Sequence, residues 1–318
     1  SGAVPRGRRR AGARCGLAEG RRERRRVSAI PTIAPPHPDP RAPDFVLPPR
    51  TCDSHCHIFG PDSRYPYAAA RPYTPPDAPL DMLQALHARL RIERAVIVNA
   101  TPHGRDNRVV TDAIAASGGR YKGVANVDAR FGDAEIAALT AAGIVACRFT
   151  FLARLGGRPD MSAFDQVVRR IAPHGWHVDL YLPADSIDEF APVLDALPIS
   201  YVLDHIGLVD GGRGVDQPAF RAFAQRYARD RNCWVKVTCP ERLTAAGPPY
   251  HDVAPFARRL IEIDPDRLLW GTDWPHPNVK AMPDDGDLVD LVPLYAPEPA
   301  IRQKLLVDTP ASLFGFPP

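Results

Sequence analysis

The chain has 318 residues, 45% hydrophobic and 24% charged, an ordinary composition for a soluble folded body with a sizeable core. No apolar run approaches the ~20 residues of a membrane helix, so a membrane partner is not expected. The formal net charge of +3 misleads, because residues 1–26 carry ten Arg against Glu19 and Glu23, which leaves the remainder mildly acidic.

The chain opens on Ser1. The Arg-rich stretch behind it has no interleaved aromatics, no helical period and no recognisable nucleic-acid module. It also lacks the apolar core of a secretory signal. We read it as disordered and functionally silent. Nucleic-acid binding through residues 1–26 is the remote alternative. Residues 31–50 contain eight Pro in twenty. Proline withholds an amide donor and fixes φ, so this stretch reads as an extended linker. The expected organisation is a disordered basic and Pro-rich tail over 1–44 and one domain over 45–318, the ordered body starting near Phe45 or Val46.

From there a strand–helix rhythm repeats. Strands are expected at Cys52–Ile58, Arg94–Ala100, Gly123–Asp128, Ile144–Thr150, His177–Leu182, Ser200–His205, Cys233–Thr238 and Arg267–Gly271. Between them, Leu83, Leu86 and Leu90 fall at helical spacing in Leu80–Leu90. Asn107–Ala116, Asp133–Ala142, Ser162–Ile171, Ser186–Leu197, Pro218–Ala228 and Asp252–Ile263 read the same way. Eight such units fit a (β/α)8 TIM barrel, close to the ~250 residues typical of that fold. A doubly wound open sheet is the competing architecture. It would prefer a Gly-rich turn after the first strand, where this chain has His55-Cys56-His57.

On a strand, His55 and His57 point to one face and Cys56 to the other. Two neighbouring imidazoles make either a metal site or a cluster of hydrogen-bond donors. Later stretches supply partners for either: Asp204-His205, and Trp270-Gly271-Thr272-Asp273-Trp274-Pro275-His276. In a barrel, catalytic groups sit at the C-terminal ends of strands. His55, His57, Thr101, Arg148, Tyr181, His205, Arg242 and Asp273 all fall at or just past such ends. Burying so many polar groups is sensible only around a polar ligand. Lys236 and Asp128 are further candidates for the barrel interior, as structural partners. His103, His276 and Asn278 read as loop residues, and His87, His174, His177 and His251 as surface or packing. The six Cys (Cys15, Cys52, Cys56, Cys147, Cys233 and Cys239) form no Cys-x-x-Cys pair, which suggests free thiols in a reducing, cytoplasmic setting.

A His-x-His on strand 1, an Asp-His-x-Gly on strand 6 and a Trp-Gly-x-Asp-Trp-Pro-His after strand 8 resemble the amidohydrolase superfamily of the amidohydrolase 2 type. More narrowly they resemble its 2-pyrone-4,6-dicarboxylate lactonase branch, over roughly Thr51 to Phe316. The resemblance implies a carboxylic-ester hydrolase that opens 2-pyrone-4,6-dicarboxylate to 4-oxalomesaconate in the breakdown of aromatic compounds. Asp273 would be the base that takes a proton from water, with His55, His57 and His205 around the lactone carbonyl. Arg148, Arg154 and Arg242 match the branch's carboxylate-binding arginines. Tyr181, Thr101 and Tyr73 match its supporting hydroxyls, with Thr101 where Ser is expected. The branch works without metal, so no cofactor is favoured. Zinc held by His55, His57, His205 and Asp273 is the alternative, since three His and one Asp suffice in kind. It would accompany a 4-sulfomuconolactone or sugar-acid lactone substrate, or a related decarboxylase. The expected partner is a small dicarboxylate lactone, with no nucleic acid, and the expected assembly is a monomer or homodimer.

Overall fold

In the computed structural model, strands and helices alternate as that rhythm predicts. The strands are β1 (Cys52–Cys56), β2 (Arg94–Val98), β3 (Tyr121–Ala125), β4 (Ile144–Thr150), β5 (His177–Tyr181), β6 (Tyr201–Leu203), β7 (Cys233–Val237) and β8 (Leu268–Trp270). They form one parallel sheet in sequence order. The helices between them include α1 (Leu80–Leu90), α2 (Arg108–Ala116), α3 (Asp133–Ala141), α4 (Met161–Ile171), α5 (Ile187–Asp195) and α6 (Pro218–Arg229), followed by the short α7 (Pro240–Leu243) and by α8 (Ala254–Ile263). This is a (β/α)8 TIM barrel. The structure describes residues 1–3 and 30–317, so the reading of the Arg-rich tail and the site of Cys15 lie outside the described residues. Among the described residues no helix is long and apolar enough to cross a membrane.

The helices form for local reasons. In α4, Phe164, Val167, Val168 and Ile171 make one buried stripe at helical spacing, and the Asp160 carboxylate caps the amides of Ser162 and Ala163. The strands are buried on both faces, as parallel strands covered by helices must be. Their outward side chains pack on the helices. Their inward ones, including Val96, Val98, Val124, Ala146, Val202 and Leu269, fill the barrel's lower interior with Phe314 and Phe316. The chain's C-terminal helix therefore seals the N-terminal end of the barrel. Arg94, at the start of β2, stacks its guanidinium on Phe316 and donates to the Pro317 carbonyl.

Two irregularities in β1 place the histidines. Cys52 belongs to the interior cluster but Cys56, four residues on, belongs to the outer one. Strict alternation would keep them on one face. The register against β2 slips between Asp53 and Cys56, and the extra residue flips the parity so that His55 and His57 turn inward. At the β8–β1 seam the chain after β8 closes the barrel. The Asp273 amide donates to the His55 carbonyl and the His57 amide to the Trp274 carbonyl, both at 2.7 Å. The Asp53 carboxylate accepts from the Thr272 amide at 3.0 Å and the Thr272 hydroxyl at 2.6 Å. Gly271 is needed here, because a Cβ would lie 2.6 Å from the His55 amide nitrogen and 2.7 Å from Asp53 Oδ1. Gly271→Ala is expected to destabilise the fold by about 1–3 kcal/mol through this overlap. The urea midpoint measures it, and an unchanged midpoint would show that the seam is not this tight.

Two expectations are corrected. Residues 30–44 are not a free tail. The Ile33 amide bonds the Thr74 carbonyl, and Arg41 bridges to Asp287 at 2.7 Å and to Asp290. The Asp290 carboxylate also accepts from the amides of Asp44 and Phe45. A Pro-rich strand has few donors of its own, and here distant carboxylates satisfy them. Asp128 is not in the barrel interior either. It pairs with Arg130 and Arg105 at the rim.

Candidate active site

The site is built at the C-terminal ends of the strands. His55 and His57 leave β1, His205 follows β6 and Asp273 follows β8. The His55 ring centroid lies 5.0 Å from that of His57 and 4.8 Å from that of His205. Asp273 Oδ1 sits 3.2 Å from His57 Nε2 and 3.4 Å from His55 Nε2, and its Oδ2 accepts from Arg242 Nη2 at 2.5 Å. Nine of the ten nominated residues line one pocket, and His55 is fully buried behind them. Arg148, in the apolar run of β4, donates from Nε to Asp204 Oδ2 at 2.9 Å and stacks its guanidinium on the Tyr181 ring. Arg154 donates to the Tyr181 hydroxyl at 3.1 Å. Thr101 and Tyr73 complete the wall.

The backbone at these positions is strained. His205 (φ 55°), Cys239 (φ 58°) and Asp273 (φ 63°) all occupy the left-handed region. Each such non-Gly residue costs roughly 1–3 kcal/mol, and such outliers gather at functional sites. The turns also explain why β6 and β8 end at Leu203 and Trp270, before the ends that hydrophobicity predicts.

The electrostatics follow from burial and pairing. Burial opposes charge on Asp273, but Arg242, His57 and His205 outweigh it and hold the carboxyl well below the usual range. Burial and the Lys236 ammonium push His55 down to about 4, so it is neutral near pH 7. Burial also holds His205 well below the ordinary histidine value. His57 Nδ1 faces the Val98 carbonyl at 2.7 Å and must donate to it. Its Nε2 faces Asp273 Oδ1 at 3.2 Å.

Beneath the site runs an ionic column. Lys236 Nζ contacts Asp179 Oδ2 at 2.5 Å, His55 Nδ1 at 3.1 Å and Asp204 Oδ1 at 3.3 Å, and His177 reaches Asp179 from below. Sequence reasoning had Lys236 as a structural partner but missed Asp179. The signal was there, since Asp179 interrupts an apolar strand between His177 and Tyr181 on the same face. Glu241, buried with its Oε1 3.4 Å from Arg242 Nε and neither carboxylate oxygen hydrogen-bonded, was also missed. Of the histidines set aside, His87 is buried against Asp53 and His276 against Asp285, while His103 stacks on Phe59.

The family model described as amidohydrolase matches residues 52–316. The chain belongs to the amidohydrolase family. This amidohydrolase is 46% identical over 285 residues to the 2-pyrone-4,6-dicarboxylate hydrolase of Comamonas testosteroni, covering 87% of this chain and 93% of the relative. It is 40% identical over 275 residues to the 4-sulfomuconolactone hydrolase of Hydrogenophaga intermedia, covering 85% and 90%. A solved apo structure from Agrobacterium tumefaciens superposes with a TM-score of 0.77 at 30% identity, covering 87% of this chain and 100% of that one.

Groups of His, Cys and Asp close enough to hold a cation are present in this amidohydrolase, among them His55, His57 and Asp273. His57 is posed as a zinc ligand would be, its Nδ1 occupied by a carbonyl and its Nε2 turned to the site. His55 is not, because an ammonium faces its Nδ1. With Nδ1 accepting, Nε2 carries the proton and has no lone pair to offer. As arranged, His55 is not posed to join such a set, while His205, Cys239 and Asp273 form a second group within ligand reach of one another.

Proposed function

We propose that this amidohydrolase is a lactone hydrolase acting on a cyclic ester with two carboxylates, 2-pyrone-4,6-dicarboxylate being the preferred substrate. The observation that carries the reading is one ionised carboxylate, Asp273, facing two imidazoles in a pocket whose wall supplies three guanidiniums. Arginine binds carboxylate through parallel hydrogen bonds and stays charged, so Arg148, Arg154 and Arg242 suit a dianion.

In this reading Asp273 accepts a proton from a water held between it and the lactone carbonyl, and the water oxygen bonds to the carbonyl carbon. Imidazole N–H groups stabilise the oxyanion, each such donor being worth about 3 kcal/mol in known cases. The ring C–O bond then breaks, and the leaving oxygen takes the proton back from Asp273. The low proton affinity of Asp273 keeps it ionised and ready near neutral pH. The same feature makes it a weak base, so positioning must supply much of the rate.

The test is direct. Purified protein mixed with 2-pyrone-4,6-dicarboxylate should bleach the ultraviolet absorbance of the pyrone and release one tricarboxylic product, its third carboxyl group coming from the opened ester. Stable absorbance across the pH range rejects this substrate. A second reading keeps the site and changes the ligand to 4-sulfomuconolactone. It is favoured by the 40% identical relative, and a sulfonate suits the same guanidiniums. Comparing kcat/KM for the two lactones on one preparation separates them.

A further inference from the structure

An ammonium group has three N–H donors and no acceptor. The Lys236 ammonium, fully buried, has three neighbours for them: Asp179 Oδ2, His55 Nδ1 and Asp204 Oδ1. The two carboxylates hold the ammonium charged against burial. A charged Lys236 at 3.1 Å from His55 Nδ1 donates to it when that nitrogen is bare, whereas a proton on Nδ1 would set two donors face to face.

We propose that Lys236 sets the tautomer of His55. By occupying Nδ1 it forces the single imidazole proton onto Nε2, so His55 enters the site as a neutral hydrogen-bond donor and is unavailable as a metal ligand. The buried Nε2, 3.4 Å from Asp273 Oδ1 and with no hydrogen-bond partner of normal length, is a donor held ready for an oxygen that develops negative charge. Lys236 is thus a positioning residue acting through His55. The competing arrangement is also in reach. Asp204 Oδ1 lies 3.4 Å from His55 Nδ1, and a proton on Nδ1 would donate there and turn the Nε2 lone pair into the site. Lys236 decides between the two. The use of the Nε2 proton on a carbonyl oxygen rests on the lactone reading, but the tautomer does not.

Long-range proton–nitrogen correlation spectra of protein carrying nitrogen-15 histidine report the tautomer without any substrate. The His55 signals are assigned by their loss in His55→Asn. Wild type at neutral pH is expected to show the proton on Nε2, and a proton on Nδ1 overturns the proposal. Wild type equilibrated with zinc and then dialysed should retain none, and one zinc per chain lost on His55→Asn also overturns it. Lys236→Met, with its fold checked by circular dichroism, is expected to move the proton to Nδ1. Lys236→Arg, which keeps the donor, should restore the Nε2 form. A folded Lys236→Met protein with an unchanged tautomer removes Lys236 from the role. If Lys236→Met does not fold, the wild-type spectrum and zinc measurement still decide. With an active lactone, Lys236→Met should lower kcat about tenfold or more with KM little changed, whereas a merely structural role would leave the imidazole spectrum unmoved.

Discussion

Asp273→Asn is expected to lower kcat by roughly 10³- to 10⁴-fold while substrate still binds, the upper part of the range for a general base. The side chain keeps its shape and can still accept from Arg242, so the pocket and its guanidiniums persist. What disappears is the ability to take the water proton. The measurement is single-turnover pyrone hydrolysis beside equilibrium binding of the substrate. Turnover within a few-fold of wild type would mean that another group is the base, and Glu241 would be the next to examine. Its carboxyl accepts no hydrogen bond and, unlike that of Asp273, is pushed by burial above its ordinary value.

Arg242→Met is expected to have the second largest effect, because Arg242 both lines the anion pocket and pairs with Asp273 at 2.5 Å. Truncating one partner of a buried charge pair costs about 2–5 kcal/mol. At ~1.4 kcal/mol per factor of ten, kcat/KM for a dianionic lactone should fall roughly 10²- to 10³-fold. The pH profile gives an independent readout. In wild type the Asp273 carboxyl is held well below the usual range. Without the guanidinium, burial is less opposed and the acid limb of kcat/KM should move upward. The effect on stability has a definite sign. A depressed folded-state value contributes stability above the unfolded carboxylate value of ~3.9, and this is lost as pH falls through the folded value. The variant lacks that contribution, so its deficit in urea should be largest near neutral pH and shrink on acidification. A deficit independent of pH would show that Arg242 acts by packing alone.

Much of the site was legible because its residues break local rules. His55-x-His57 stands where an open sheet would carry a Gly-rich turn. Arg148 interrupts an apolar strand, and Asp273 follows one directly. Partners were harder to read. That Arg148 would donate to Asp204, and Lys236 to His55, depends on which strands lie across the barrel from each other. The parity of β1 was also misleading in part. Alternation predicted correctly that His55 and His57 share a face, but the bulge that lets Cys52 face the interior as well leaves no mark in composition.

The sequence by itself determined the eight-unit rhythm, the strand-end position of each polar group and the kind of chemistry such groups support. These are local properties: side-chain periodicity, helix caps, and charged residues in apolar runs. Tertiary structure alone decided the protonation geometry, the docking of residues 30–44 on the carboxylates of Asp284, Asp287 and Asp290, and the closure of the seam over Gly271. The reason is separation along the chain. Lys236 and His55 are 181 residues apart, and their contact exists only once the last strand has closed on the first. No local pattern encodes a hydrogen bond whose two ends meet only when the barrel closes.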